Sequence, residues 1–431
     1  MADAHDEHRA SRWSLPARYG ANREVVALSV ARLAEALGNS ILTIVIPLYV
    51  AEIAHPLFNL PVPVLVGTLI SLYGIVSAAV QPVMGALSDR LGRRKVQIQA
   101  GMALMGLGTL AFMAATSYSH LLVLRAIQGI GVATTIPASM AVMATATRRH
   151  TRASSMGIYS TLRLIGFAGG PVIGGFLKVR FGFDAAFIVG AAFVLLAMIL
   201  VQVWVRETPP AEPAAPPAPG RLRILDRDLL DPGILAAALA TLLMAANFSM
   251  VTTLENEFNA RLDMTAFEFG IAFAMVMVSR LVFQVPVGRL ADTIGRKPLM
   301  LGGLLVLAPA TGLLGYVTSP AQLMAVRFLQ GCGGAGIAAP AFAVAGDLAR
   351  EGGEGRQMSL VTTGFGLGMT IGPLIAGPLS LFFFQLPFLV GGALALAGLW
   401  AVYRYMPETV AGGRGWFRSA APEKVSDRNA G

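Results

Sequence analysis

Three side chains in the first long apolar stretch of this sequence are of the right types and spacing for proton chemistry: Arg32, Glu35 and Asn39. Spacings of three and four place all of them on one helical face. Counted from Val25 at 1.5 Å per residue, Glu35 lies about 15 Å along the helix, halfway through the ~30 Å apolar core of a bilayer. No other carboxylate of the N-terminal half reaches that depth, and the five histidines (His5, His8, His55, His120, His150) fall in tails or at the ends of apolar segments. Burial and the guanidinium one turn away act on the Glu35 carboxyl in opposite senses. That balance suits a group that takes up and releases a proton as water access alternates. A permanent Arg32–Glu35 pair that stabilises the helix bundle is the other reading of the same residues.

Further polar groups recur inside apolar runs: Arg125, Gln128, Arg163, Asn247, Arg280 and Arg327. A guanidinium in such a place is costly and points to a pathway or a packing role. Asn39, Gln128, Arg163, Asn247 and Arg280 are the candidate lining of a substrate cavity, and Arg280 is suited to an anionic substrate. Met244, Phe248, Phe273, Met275 and Met277 could form an adaptable apolar wall, although packing is the commoner role of such residues. Glu255 and Glu257 are expected on a solvated outer rim. Lone Cys332 excludes a disulfide framework and a cysteine-rich metal site, so no metal and no cofactor is expected.

The elements that must position these residues are set by composition. Of 431 residues, 55% are hydrophobic and 13% charged, about half the charged share of a soluble domain, and the mean hydropathy is +0.65. Twelve runs are long enough to cross a membrane, near 25–51, 62–85, 96–116, 121–146, 154–177, 185–205, 234–255, 267–287, 298–317, 321–348, 358–381 and 386–406. They lack period-two alternation, so they read as helices rather than barrel strands. With the N-terminus placed in the cytoplasm, 25 of the 33 basic residues fall on that side and only Lys178, Arg180 and Arg261 on the other. The positive-inside rule therefore predicts two cytoplasmic termini. It also accounts for the formal charge of +9 without nucleic acid.

The sequence is duplicated. Gly85, Asp89, Gly92 and Arg93 recur 203 residues later as Gly288, Asp292, Gly295 and Arg296. Arg125, Gln128 and Gly129 recur at an offset of 202 as Arg327, Gln330 and Gly331, and Gly166, Gly170, Pro171 and Gly175 as Gly368, Gly372, Pro373 and Gly377. Glu207-Thr208 returns as Glu408-Thr409. The expected organisation is a cytoplasmic tail (1–24), a six-helix bundle (25–206), a proline-rich linker (207–231), a second six-helix bundle (232–406) and a cytoplasmic tail (407–431). Duplicated bundles of this kind hold substrate at their interface near the midplane and rock about it.

Twelve spans as six plus six, with Gly85-Ala-Leu-Ser-Asp89-Arg90-Leu-Gly92-Arg93-Arg94 between the second and third, resemble the major facilitator superfamily over nearly the whole chain. Gly166-Phe-Ala-Gly-Gly170-Pro171-Val-Ile-Gly174-Gly175 in the fifth run is similar to an element of that family's proton-coupled drug antiporters. The resemblance implies a cytoplasmic latch built from Asp89, Arg90, Arg93 and Arg94, with Asp292 and Arg296 as a second copy. It implies a hinge and seal at Gly166, Gly170, Pro171, Gly174 and Gly175. It also implies for Arg125 a part in proton coupling or cavity electrostatics, beside the Arg32 and Glu35 read from their spacing.

No G-x-x-x-x-G-K-[ST] phosphate cradle is present, so transport must draw on an ion gradient or run downhill. The expected activity is proton-coupled efflux of amphiphilic or drug-like molecules by a monomeric, non-enzymatic transporter of the inner membrane. Its partners are then a small-molecule substrate, protons and the lipid bilayer. A lipid or glycolipid flippase, an importer of a specific solute, and a non-transporting sensor are the alternatives.

Overall fold

Apolar segments in lipid must satisfy their backbone groups internally, and every regular element of the computed structural model is accordingly helical. The structure describes residues 23–53, 60–147, 152–205, 231–348 and 354–410. The helices are α1 (Arg23–Ile53), α2 (Val62–Leu91), α3 (Arg94–Ala111), α4 (Tyr118–Ala146), α5 (Arg152–Trp204) and α6 (Pro232–Thr253). They continue as α7 (Glu255–Leu262), α8 (Ala266–Ile294), α9 (Arg296–Leu313), α10 (Pro320–Asp347), α11 (Glu354–Ser380) and α12 (Leu386–Tyr405). All except α7 are long and apolar enough to cross a membrane. The tails before residue 23 and after residue 410, and the linker except Asp231, lie outside the described residues.

Two elements depart from the expected runs. The fifth and sixth runs form the single element α5, whose 53 residues would reach about 80 Å if straight. It breaks at Gly182 (φ 86°, ψ −175°), a conformation open to glycine, so α5 holds two crossing stretches. The chain after the seventh run does not pass straight into a loop. It turns at Leu254 into the eight-residue α7, which sequence periodicity does not announce.

Helix starts follow local chemistry. The Ser117 side chain accepts from His120 N–H at the start of α4, and the Ser319 side chain accepts from Gln322 N–H at the start of α10. Thr265 and Glu268 form a reciprocal capping box at α8. Asp231 accepts from Gly233 N–H at 2.7 Å and opens α6.

Packing repeats as the sequence does. Helix α1 lies along both stretches of α5, as α6 lies along α11 and α12; α4 packs on α2 and α3, as α10 packs on α8 and α9. Contact between the repeats runs chiefly through α5 against α8 and α2 against α11. There four glycines do the same job in pairs. A Cβ on Gly67 would collide with the Pro373 carbonyl, and one on Gly270 with the Pro171 carbonyl. A Cβ on Gly377 would stand 2.6 Å from the Pro63 carbonyl oxygen, and one on Gly175 2.7 Å from the Ala266 carbonyl carbon. These crossings lie at the end that carries α7, where the Asn256 amide also donates to the Pro47 carbonyl at 2.9 Å. At the opposite end Gly85 and Gly288 have only Pro137 and Ala339 of their own repeats nearby, each 3.8 Å from an added Cβ. Small residues that let backbones meet are how helices associate where lipid removes the hydrophobic driving force.

Candidate functional site

Glu35 and Arg32 form a buried ion pair on α1, Arg32 Nη1 donating to Glu35 Oε2. Both are buried, on a helix that packs against both stretches of α5. The Arg32 guanidinium stands 5.9 Å from the Tyr159 ring of α5. One turn further on, the Asn39 amide donates to the Tyr73 hydroxyl of α2 at 3.1 Å. The Tyr73 ring also receives Arg125 of α4, 5.4 Å from its centroid. Arg163 of α5 is within electrostatic reach of Arg32, Glu35, Tyr73 and Tyr159, and Arg280 of α8 is within reach of Arg163. Arg32, Glu35, Asn39, Arg125, Arg163 and Arg280 are thus brought together from α1, α4, α5 and α8. Among the described residues, Glu35 is the single acid in this cluster. Tyr73 and Tyr159 join it from α2 and α5; in the sequence they show only as two tyrosines inside otherwise apolar runs.

Arg125 has a second tie that the sequence repeat anticipates. Its Nη1 donates to Gln128 Oε1 at 3.1 Å, and Gln128 Nε2 donates to Thr109 Oγ1 at 2.9 Å. In the second half Arg327 donates to Gln330 at 2.8 Å and Gln330 to Thr311 at 3.0 Å. Gln128 is therefore buried in a helix-to-helix bridge rather than facing a cavity. Arg327 is also buried, 5.1 Å from the Phe248 ring and 5.6 Å from the Phe273 ring, and its Nη1 reaches the Phe248 carbonyl at 3.5 Å. Asn247 is likewise not turned to the cluster: its amide donates to the Gly391 carbonyl of α12 at 3.2 Å.

The glycine-rich element of α5 is a packing seam. Added Cβ atoms on Gly166, Gly170 and Gly174 would meet the carbonyl oxygens of Leu33, Leu37 and Ile41 on α1 at 2.6, 2.7 and 2.8 Å. Ser40 Oγ donates across it to the Gly166 carbonyl at 3.0 Å. Gly175 faces α8 instead, and α5 remains helical through Pro171, its only non-helical residue being Gly182.

At the end opposite α7, Gly92 closes α2 in the left-handed region and Arg93 precedes α3. Arg94 donates to the Ala141 carbonyl of α4 at 3.3 Å. The side chains of Asp89 and Arg90 lie outside the described residues. In the second copy Asp292 is held at 3.4 Å by Arg296, whose guanidinium also pairs with Asp347 of α10 at 2.6 Å. The carboxylate at a helix N-terminus is neither of these but Glu408, which accepts from Arg296 N–H and Lys297 N–H at 3.0 and 3.1 Å. Gly295 (φ 114°) leaves room for it; a Cβ there would strike the Glu408 carboxylate.

The expectation for Glu255 is corrected. Rather than lying on a solvated rim, it is 0% exposed, with Asn259 one turn further along α7 beside its carboxyl. The turn at Leu254 brings α7 into contact with α1, and Glu255 at its start is buried. Burial pushes its carboxyl well above the usual carboxylate range, against the smaller pulls of Lys178 and of the Asn259 side chain. Among the described residues no group of His, Cys, Asp and Glu is arranged to hold a metal.

Known proteins share this design. The sequence profile of the Major Facilitator Superfamily matches residues 28–259 and 233–419. The multi-drug resistance efflux pump PmrA of Streptococcus pneumoniae is 26% identical over 311 residues, 72% of this chain and 77% of that protein. The multidrug resistance protein MdtG of Enterobacter lignolyticus is 25% identical over 360 residues, 81% of this chain and 84% of that protein. In fold, the chain matches a bacterial homologue of the human lysosomal transporter Spinster in an inward-facing, occupied conformation, with a TM-score of 0.74 at 14% identity over 89% of this chain and 97% of that one. It also matches the nucleoside transporter NupG, with a TM-score of 0.72 at 12% identity over 90% of this chain and 100% of that one. With both halves matched, this multi-pass membrane protein belongs to the major facilitator superfamily of transporters.

Proposed function

We propose that the protein is a proton-coupled exporter of amphiphilic small molecules in the inner membrane, with both termini cytoplasmic and two six-helix bundles that rock about the Arg32–Glu35 cluster. The observation that carries this reading is Glu35, an acid buried mid-helix with Arg32 at a place where both repeats contribute arginines. In a cycle built on it, protonation of Glu35 breaks the pair with Arg32, and deprotonation restores it. Each change of charge alters the cavity at the moment its access changes side. Arg125 acts on this pair through the shared Tyr73, which also binds Asn39.

Closure at the α7 end by α2, α5, α8 and α11 then corresponds to a state open toward the cytoplasm. The ion pair of Arg296 and Asp347, the Glu408 cap and the Asp89 loop belong to the opposing, cytoplasmic gate. The efflux pumps among the relatives support export, although their substrates do not transfer by name at about 26% identity. The test is transport by purified protein in proteoliposomes carrying an imposed pH gradient, with a panel of cationic, neutral and anionic fluorescent amphiphiles. Movement of at least one that collapses with a protonophore supports the reading; no gradient-dependent movement of any overturns it.

A further inference from the structure

Two cations in the middle of the molecule have, among the described residues, no acid of their own: the one carboxylate near Arg163 is Glu35, which is paired with Arg32. Arg280 stands at the centre of α8, 14 residues from either end, and Arg163 lies on the facing helix α5. Among the described residues, the charged group that acts on Arg280 is Arg163. Around Arg163 the charges are Arg32, whose guanidinium is already paired, and Glu35, which is that partner. Arg163 keeps exposed area on its side chain although it sits mid-helix and protein surrounds it at longer range, as expected of a group beside an internal opening. It also lies 5.9 Å from the Phe167 ring on its own helix. Arg280 keeps a buried Nε with no hydrogen-bond partner. It edges a pocket whose other walls are mainly apolar, among them Met244, Phe248, Val276 and Phe365.

Two like charges within electrostatic reach repel each other, and a buried guanidinium such as Arg280 without a carboxylate is costly. Such a pair is stabilised by whatever anion enters between them. Guanidinium groups bind carboxylate, phosphate and sulfonate oxygens through paired N–H donors. The repeat shows that the pair is not inherited packing: the equivalent positions are Ser77 for Arg280 and Phe365 for Arg163, at the offsets of 203 and 202. The two bundles supply one arginine each, at the interface that parts and reforms in transport.

We infer that Arg163 and Arg280 hold the anionic head of an amphiphilic substrate, with its apolar body against Met244, Phe248 and Phe365. This deepens the proposed function and rests on its placing the site between the bundles, but the chemistry is separable from coupling. Arg280 is linked to the Arg32–Glu35 pair only through Arg163, so its part in holding an anion can be read from binding alone.

The experiment compares two probes that differ by one charge, 8-anilinonaphthalene-1-sulfonate and the neutral N-phenyl-1-naphthylamine. Equilibrium binding is measured on the full chain in zwitterionic nanodiscs, with empty nanodiscs subtracted. Loss of a charged hydrogen bond weakens binding by about tenfold or more, so Arg163→Gln and Arg280→Gln should each cost the sulfonate that factor and leave the neutral probe unchanged. Arg163→Lys and Arg280→Lys, which keep the charge, should recover most of it and show that the chain still folds. Equal affinity for both probes in the wild type, or sulfonate binding untouched by either Gln variant, overturns the inference. Nanodiscs containing phosphatidylglycerol identify the source of the anion: competition assigns the site to a lipid headgroup, and its absence to a soluble amphiphile, either result standing with an anion site. Binding requires no gradient, so failure of the transport test leaves this result intact, and the reverse also holds.

Discussion

Adding one methyl group where the halves meet should shift which end of the transporter is open. In Gly377→Ala the new Cβ would stand 2.6 Å from the Pro63 carbonyl oxygen, well inside van der Waals contact. That oxygen belongs to backbone and cannot swing aside like the end of a side chain. Overpacking of this kind costs about 1–3 kcal/mol, and only in the state closed at the α7 end, since opening separates α11 from α2. The closed-to-open ratio should therefore fall by roughly 5- to 150-fold. Gly67→Ala, against the Pro373 carbonyl on the same helix pair, should act in the same direction. The assay is a spin-label distance across that end. Labels replace exposed Leu60 and Phe382, on a background with Cys332→Ser removing the sole native thiol. Wild type should give a mainly short distance and both variants a longer population. Gly302→Ala, where an added Cβ meets nothing within 4 Å, is the control and should match wild type. If Gly377→Ala and Gly67→Ala leave the distribution where the control leaves it, the glycine crossings do not set the closed state.

Three further perturbations follow from the site. Glu255 has its carboxyl raised by burial, so the folded protein holds that proton more tightly than the unfolded chain; stability is full at low pH and is lost as pH rises through the raised value. Thermal unfolding in detergent should show a midpoint that falls with rising pH above the usual carboxylate range, and Glu255→Gln should flatten that slope; an unchanged slope would return the effect to other groups. Glu408→Ala removes the acceptor of the Arg296 and Lys297 N–H groups and should destabilise by about 1 kcal/mol, seen as a lower unfolding midpoint that Glu408→Gln partly restores. Gln128→Leu and Gln330→Leu each strip both partners from an Arg–Gln–Thr bridge. Each should cost about 1–3 kcal/mol by the same thermal assay, and a loss confined to one half would show that the bridges are not equivalent.

Much of this architecture is written in local patterns. Hydropathy marks the crossing stretches because lipid admits few alternatives to a helix, and the offsets of 202 and 203 anticipate the paired bridges of Gln128 and Gln330. The glycines of α5 are readable as close packing, but not their partners, since Gly166 and Gly175 face α1 and α8 respectively through tertiary structure alone. The side-chain roles are harder. Gln128 and Asn247 look like cavity residues by depth, yet depth carries no information on azimuth, and both spend their amides on neighbouring helices. Glu255 reads as rim because it ends an apolar run; the turn at Leu254 that leaves it buried has no periodic signal. Tyr73 links Asn39 and Arg125 from a third helix, a contact that no spacing along the chain encodes.

The central claim is that Glu35 is where proton movement meets substrate movement. Two rates measured on Glu35→Gln in proteoliposomes test it: exchange of 8-anilinonaphthalene-1-sulfonate at equal pH on both sides, and its accumulation driven by a pH gradient. The account predicts that exchange survives near the wild-type rate while accumulation is lost. Accumulation that persists undiminished in the variant would contradict it and leave the Arg32–Glu35 pair a structural tie.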